Sequence, residues 1–332
     1  MKNLIQKLVE SIGPSGYESA VREIVRDEVA PFAEEIRIDA LGNLIVRKGS
    51  KTKSGMRLML AAHLDEIGLI ATHIDENGFI RFSTLGGVRP NNCPGGRVRF
   101  MNGVEGVIGI ERLENPDRPF SIEQLYIDVG AASRQDCPIK VGEVAAFYRP
   151  MLDLGGRIAA KSMDDRIGVA VLVESLRQLK KTPHEIYFVF SVQEEVGLRG
   201  ATTAAFALDP DLGLAVDVTL TGDTPKGVKM EVALGKGPAI KVRDGKMLSD
   251  PRLVQYLIET AEKAKGPYQL EILEGGTTDA SVIQITRAGI PSGCISIPCR
   301  YVHSPSEMVD YNDVQNAVKL LVTVLSNPIH LG

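Results

Sequence analysis

The chain has no tryptophan, and aromatic residues make up only 5% of its 332 residues. That poverty disfavours recognition by stacking bases or sugars on aromatic platforms. No uninterrupted apolar run approaches the ~18 residues a membrane-spanning helix needs. Lys7 and Glu10 interrupt any signal-peptide core near the start. The four cysteines, Cys93, Cys137, Cys294 and Cys299, form no C-x-x-C pair and no disulfide framework. A reducing cytoplasm is therefore the expected compartment. Positive charge is not in excess either: 38 Lys+Arg against 42 Asp+Glu give a net charge of −4. Nucleic acid is thus not an expected partner, because phosphate binding calls for a basic surface. Several catalytic motifs are missing as well. There is no G-x-x-x-x-G-K-[ST], no G-x-G-x-x-G opening a helix and no G-x-S-x-G elbow. His184-Glu185 begins H-E-x-x-H, but Phe188 stands where the second histidine would be.

What is present is ordinary globular composition, 44% hydrophobic and 24% charged, in a length that suggests about two domains. Amphipathic periodicity predicts helices over residues 3–11 and 17–29, the second ending before Pro31. Strands are expected over 35–39, 43–47 and 56–62, the last a short apolar run of the buried type. From about 67 to 152 helical periodicity vanishes. Short alternating segments, punctuated by Asn77-Gly78, Gly86-Gly87 and Asn102-Gly103, read instead as a small β-barrel or sandwich. Beyond Gly155-Gly156 the α/β texture returns. Helices are expected over 165–179, 251–265, 278–287 and 311–325, and strands over 185–191, 212–218, 268–273 and 292–297. The expected architecture is an α/β/α sandwich with a mixed sheet over 1–66 and 153–332, interrupted by an all-β domain over 67–152.

Only five histidines exist, so each can be weighed. His63 directly follows the apolar strand MRLMLAA, and His303 follows CISIPCRYV. Both fall at carboxyl ends of strands, where ligands gather in α/β sheets. His73 lies in a hairpin and reads as solvated or structural, while neither His184 nor His330 is placed for chemistry. Carboxylates follow strands too: Glu194-Glu195 after IYFVFSVQ, Asp217 after LGLAV, and Asp164 just before a helix. One such carboxylate is often a cap or an ion pair. Three, beside two similarly placed histidines, are better explained by a metal centre, since burying them uncompensated is costly. Histidine and carboxylate ligands suit two zinc or cobalt ions rather than calcium.

The blocks AAHLDEIGL, KSMDDRIG, SVQEEVGLRGA, AVDVTLTGDTP, EGGTTDA and CRYVHSPSE, in this order, resemble the tetrahedral dimetal aminopeptidases. The family includes deblocking, glutamyl, leucyl and lysyl members and endoglucanase-labelled relatives. The resemblance implies that Asp164 bridges two metals, with His63 and Asp217 completing one site and Glu195 and His303 the other. It also implies that Glu194 is the general base, that Asp65 holds His63, and that the Asp164–Asp165 peptide is cis. The β insertion falls where the family has its dimerisation domain. The implied substrates are short peptides with a free N-terminus, and the implied assembly is a homo-oligomer, usually a dodecamer. The chain carries GGTTDA, one residue longer than the GGTDA of the family, so either Thr277 or Thr278 faces substrate. Asp279 is expected to cap the helix that follows, and Gly275-Gly276 to let backbone approach the substrate. Two rival readings stand beside this one. An endoglucanase-type glycosidase would act through two carboxylates without histidine-bound metal and would survive a chelator. A non-enzymatic peptide-binding protein would be inactive on aminoacyl substrates even when metal-replete.

Overall fold

A computed structural model describes residues 1–113 and 119–331. Helices α1 (Lys2–Glu10) and α2 (Ser19–Val29) bury the apolar faces expected of them. Strands β1 (Glu35–Ile38), β2 (Leu44–Lys48) and β3 (Arg57–His63) follow. Next come β4 (Gly68–Ile74), β5 (Ile80–Leu85), β6 (Arg97–Phe100), β7 (Glu105–Ile110), β8 (Leu125–Asp128) and β9 (Val144–Phe147). These six close into a barrel in the order β4-β5-β8-β7-β6-β9. The barrel has its own core around Phe82, Val98, Phe100, Ile108 and Ile127. The chain then runs through β10 (Leu152–Asp153), β11 (Arg157–Ala160), α3 (Met163–Gln178), β12 (Glu185–Ser191), α4 (Arg199–Leu208) and β13 (Leu212–Thr219). It finishes with β14 (Ala239–Arg243), α5 (Pro251–Lys263), β15 (Gln269–Ile272), α6 (Ala280–Gln284), β16 (Ser292–Arg300), β17 (Glu307–Asp310) and α7 (Tyr311–Ser326).

The strands outside the barrel form one 11-stranded mixed sheet. Its centre is parallel: β12 and β13 flank β3, and β13 pairs with β16. Central strands are buried on both faces, which is why their sequences are continuous apolar runs. Alternate residues face opposite layers. Leu58, Leu60, Phe188, Leu214 and Val216 pack with α1, α2, α3, α5 and α7. Met59, Ala61 and Val189 pack with α4 and α6 on the other side. The expected α/β/α sandwich interrupted by a β module is therefore the observed fold, and the module is a closed barrel. No helix among the described residues is long and apolar enough to cross a membrane.

Five of these elements escaped the sequence reading, the short strands β10 and β11 among them. Helix α4 (RGATTAAFAL) is rich in Ala and Thr and poor in charge, so it lacks a marked polar face. Strand β14 carries Lys241 within its apolar run, and that lysine is buried in the fold. Strand β17 spans only four residues. The helix expected over 278–287 shortens to Ala280–Gln284.

Helix α3 crosses the sheet so closely at Gly168 that an added Cβ would lie 2.6 Å from the Val216 carbonyl oxygen and 2.3 Å from Asp165 Oδ1. Alanine is the better helix former by ~1 kcal/mol, yet here overpacking wins. Gly168→Ala should destabilise the fold by about 1–3 kcal/mol, read as a lower melting temperature. An unchanged or higher melting temperature would contradict this packing.

Candidate metal centre

The parallel strands deliver their carboxyl ends to one edge of the sheet. Ser191 lies opposite His63 in register, and Asp217 lies opposite Ser296. His63 is the last residue of β3, Glu194 and Glu195 follow β12, and His303 follows β16. Asp164 enters from the turn between β11 and the body of α3, where the helix kinks at Asp164 and Asp165. The Asp164–Asp165 peptide is cis, as the resemblance implied.

Two groups of ligand atoms result, each with its atoms within 4.8 Å of one another: His63, Asp164 and Asp217, and Asp164, Glu195 and His303. Asp164 belongs to both. Its Oδ1 lies 3.0 Å from His63 Nε2, and its Oδ2 lies 3.3 Å from His303 Nε2. His63 Nε2 is 3.9 Å from Asp217 Oδ1, and His303 Nε2 is 3.4 Å from Glu195 Oε2. All five side chains expected to be ligands thus converge. Glu194 belongs to neither group but lines the same cavity. The donor set fits borderline divalent ions, being imidazole and carboxylate without thiolate. A further observation agrees: Glu195 Oε1 is buried without a hydrogen-bond partner, which is costly unless a cation receives it.

The electrostatics follow from burial. Desolvation and the neighbouring Asp164 carboxylate, only partly offset by His63, drive Asp217 well above the usual carboxylate range. Glu194 is raised by burial and by repulsion from Asp217, Asp279 and Glu195, against the pull of His63. Burial alone would raise Asp164, but its hydrogen bonds with His303 and His63 hold it below its usual value. Burial likewise opposes the charging of His303, yet Asp164 and Glu195 push it up to about 11. The carboxylates crowded around Asp164 resist ionising together, and an added cation would relieve their mutual repulsion.

Asp65 holds the centre more widely than the sequence suggested. Its main-chain oxygen is 3.1 Å from His63 Nδ1, and its Oδ1 is 3.6 Å away. Its carboxylate accepts the amides of Glu194 (3.0 Å) and Glu195 (3.1 Å) and the Ser15 hydroxyl (2.6 Å). One buried carboxylate therefore orients the histidine and the paired glutamates together. Asp165 accepts the His63 amide and the Gly168 amide. Asp279 is a correction: it caps nothing. It sits in helical conformation before a five-residue helix and makes no side-chain cap bond, and its carboxylate instead accepts the Ser191 hydroxyl. Sequence reading also missed Ser15, Asp165 and Glu307. Asp165 could have been found from the DD pair, but nothing local singles out the other two.

The cavity above the centre has a volume of about 800 Å³. Gly275, Gly276 and Thr277 line it, whereas Thr278 is buried away with its hydroxyl unpartnered. Thr277 is thus the cavity-facing threonine. The barrel also reaches the site: a Cβ on Gly87 would lie 2.3 Å from His303 Nδ1, so only glycine fits against that ring.

The M42 glutamyl aminopeptidase family is matched over residues 42–320. This chain belongs to that family. A protein of Acetivibrio thermocellus is 48% identical over 327 residues, 98% of each chain. The lysyl aminopeptidase of Pyrococcus furiosus is 39% identical, covering 97% of this chain and 96% of its own. Among solved structures, an aminopeptidase of Desulfurococcus kamchatkensis superposes with a TM-score of 0.94 at 40% identity, over 98% of this chain and 94% of its own. The Pyrococcus horikoshii TET1 peptidase, described as assembling into a tetrahedron or a large octahedral shell, superposes with a TM-score of 0.89 at 32% identity, over 98% of both chains.

His73, the hairpin histidine, lies on β4 with its Nε2 3.3 Å from Arg134 Nη2, outside both groups. His184 is structural, accepting the Met56 amide at Nδ1 and contacting the Asn327 oxygen through Nε2. His73→Ala should therefore retain the full divalent-metal content of the wild type, measured by elemental mass spectrometry. Loss of an ion would contradict this division of the histidines.

Proposed function

We propose that this aminopeptidase is dinuclear and hydrolyses the N-terminal residue from short peptides with a free N-terminus. The observation that carries the reading is Asp164 shared between two His/carboxylate groups, beside Glu194, which joins neither. His63, Asp164 and Asp217 would hold one ion, and Asp164, Glu195 and His303 the other. Two zinc or cobalt ions there would lower the pKa of water toward ~7 and polarise the scissile carbonyl.

The chain's own groups do the rest. Glu194 takes a proton from the attacking water at a carboxylate oxygen and returns it to the leaving amine nitrogen. Such general acid–base work is typically worth about 10²–10⁴-fold. Glu194 is free for it because Glu195, its neighbour, takes the ligand role. Asp65 keeps the two glutamates in their separate directions by holding both amides. The Gly275–Thr277 segment borders the space for the substrate chain. We further propose that the β module at 67–152 is a dimerisation domain and that the chain forms a homo-oligomer, a dodecamer built from dimers, which would admit only short or unfolded peptides. The cytoplasm remains its expected compartment.

The glycosidase reading is weaker on chemical grounds. It needs two carboxylates flanking a sugar bond and gives no role to His63 and His303. The peptide-binding reading leaves the intact ligand set without a purpose.

Two variants test the proposal on aminoacyl fluorogenic substrates. Glu194→Gln should keep two ions per chain while kcat falls by about 10²–10⁴-fold; retained turnover would refute the role of Glu194 as base. Asp164→Asn should lose metal from both sites, and two ions per chain in that variant would contradict the bridge.

A further inference from the structure

Glu307 opens β17 and is buried, paired in register with Ala160 at the end of β11. Its two carboxylate oxygens are divided between two segments of the centre. Oε2 accepts the Asp164 amide at 2.9 Å, and Oε1 accepts the His303 amide at 2.8 Å. Both are proposed ligand residues that arrive on irregular backbone rather than on a strand, as Glu195 also does. Asp164 sits in the α3 kink, and His303 has a φ of 62°, a left-handed conformation uncommon for a side-chain-bearing residue. Neither segment would hold its direction by secondary structure alone.

A carboxylate is the side chain that suits this place. It offers two acceptor oxygens in one rigid plane and no donor. Neither amide is then left buried without an acceptor. A glutamine would turn an NH₂ toward one of the two amides, keeping the shape but losing one bond and setting donor against donor.

We propose that Glu307 is a positioning residue that fixes Asp164 and His303 relative to each other, and thereby sets cation affinity at the Asp164–Glu195–His303 group. The proposal rests on the dimetal reading above. It parallels Asp65, which holds the amides of Glu194 and Glu195. The two buried carboxylates together clamp four of the centre's residues through their main chains.

The experiment titrates the metal-stripped full-length chain with Zn²⁺ by calorimetry in the presence of a competing chelator. Wild type, Glu307→Gln and Glu307→Asp are compared, with the melting temperature of each metal-free protein measured alongside. Changes in outer hydrogen-bond partners typically cost about 10–100-fold in metal affinity. Glu307→Gln should lose that much at one of two sites and less at the other, with an altered Co²⁺ visible spectrum when cobalt replaces zinc. Glu307→Asp keeps charge and both acceptors at shorter reach, so it should fall between wild type and Gln, and it serves if the Gln variant does not fold. Zn²⁺ affinities equal to wild type in the folded variants would overturn the proposal and leave the dimetal reading standing. So would a drop in metal-free melting temperature with no change in affinity, since that marks a purely structural role. A wild type that binds no Zn²⁺ would overturn both.

Discussion

The centre depends on one carboxylate, that of Asp164, facing both imidazoles at once. Around it are buried Asp65, Asp165, Asp217 and Asp279, with Glu194 and Glu195 at the cavity wall. Burying so many acids without compensation is prohibitive, because a desolvated carboxylate costs several kcal/mol even after the protein relaxes. Main-chain amides and hydroxyls answer part of the demand at Asp65 and Asp165. The rest is left to His63, His303 and the divalent ions the reading places there. The same crowding of carboxylates that makes the site expensive favours a cation among them.

The sheet explains why these residues meet. Parallel strands β3, β12, β13 and β16 present their carboxyl ends to one edge, so residues distant in sequence arrive level with one another. The inserted barrel is not a remote appendage. Its Gly86-Gly87 turn packs against Glu195 and the His303 ring, and the Asn92 side chain donates to the His303 carbonyl. A change in the barrel's seating would therefore be felt at His303.

Much of this was legible in the chain. The apolar runs marked the central strands, and a histidine or acid placed after such a run marked the sheet edge. Alternation and Asn-Gly turns marked the barrel. Elements without such periodicity were not legible: the Ala/Thr-rich α4, the short β17, and β14 with its buried Lys241. Partners that act through the main chain were also silent. Glu307 looks like any surface glutamate in HSPSE until the fold brings it to two amides, and Ser15 meets Asp65 only by tertiary approach. Asp279 misled because an acid before a short helix has the sequence signature of a cap, while tertiary contact with Ser191 decides its place.

Anomalous diffraction at the zinc edge from crystals of the zinc-loaded chain addresses the central claim most directly. The account predicts two peaks about 3.5–4 Å apart, both within coordination distance of Asp164, one also beside His63 and Asp217 and the other beside Glu195 and His303. A single peak, or a pair in which Asp164 touches only one, would contradict it.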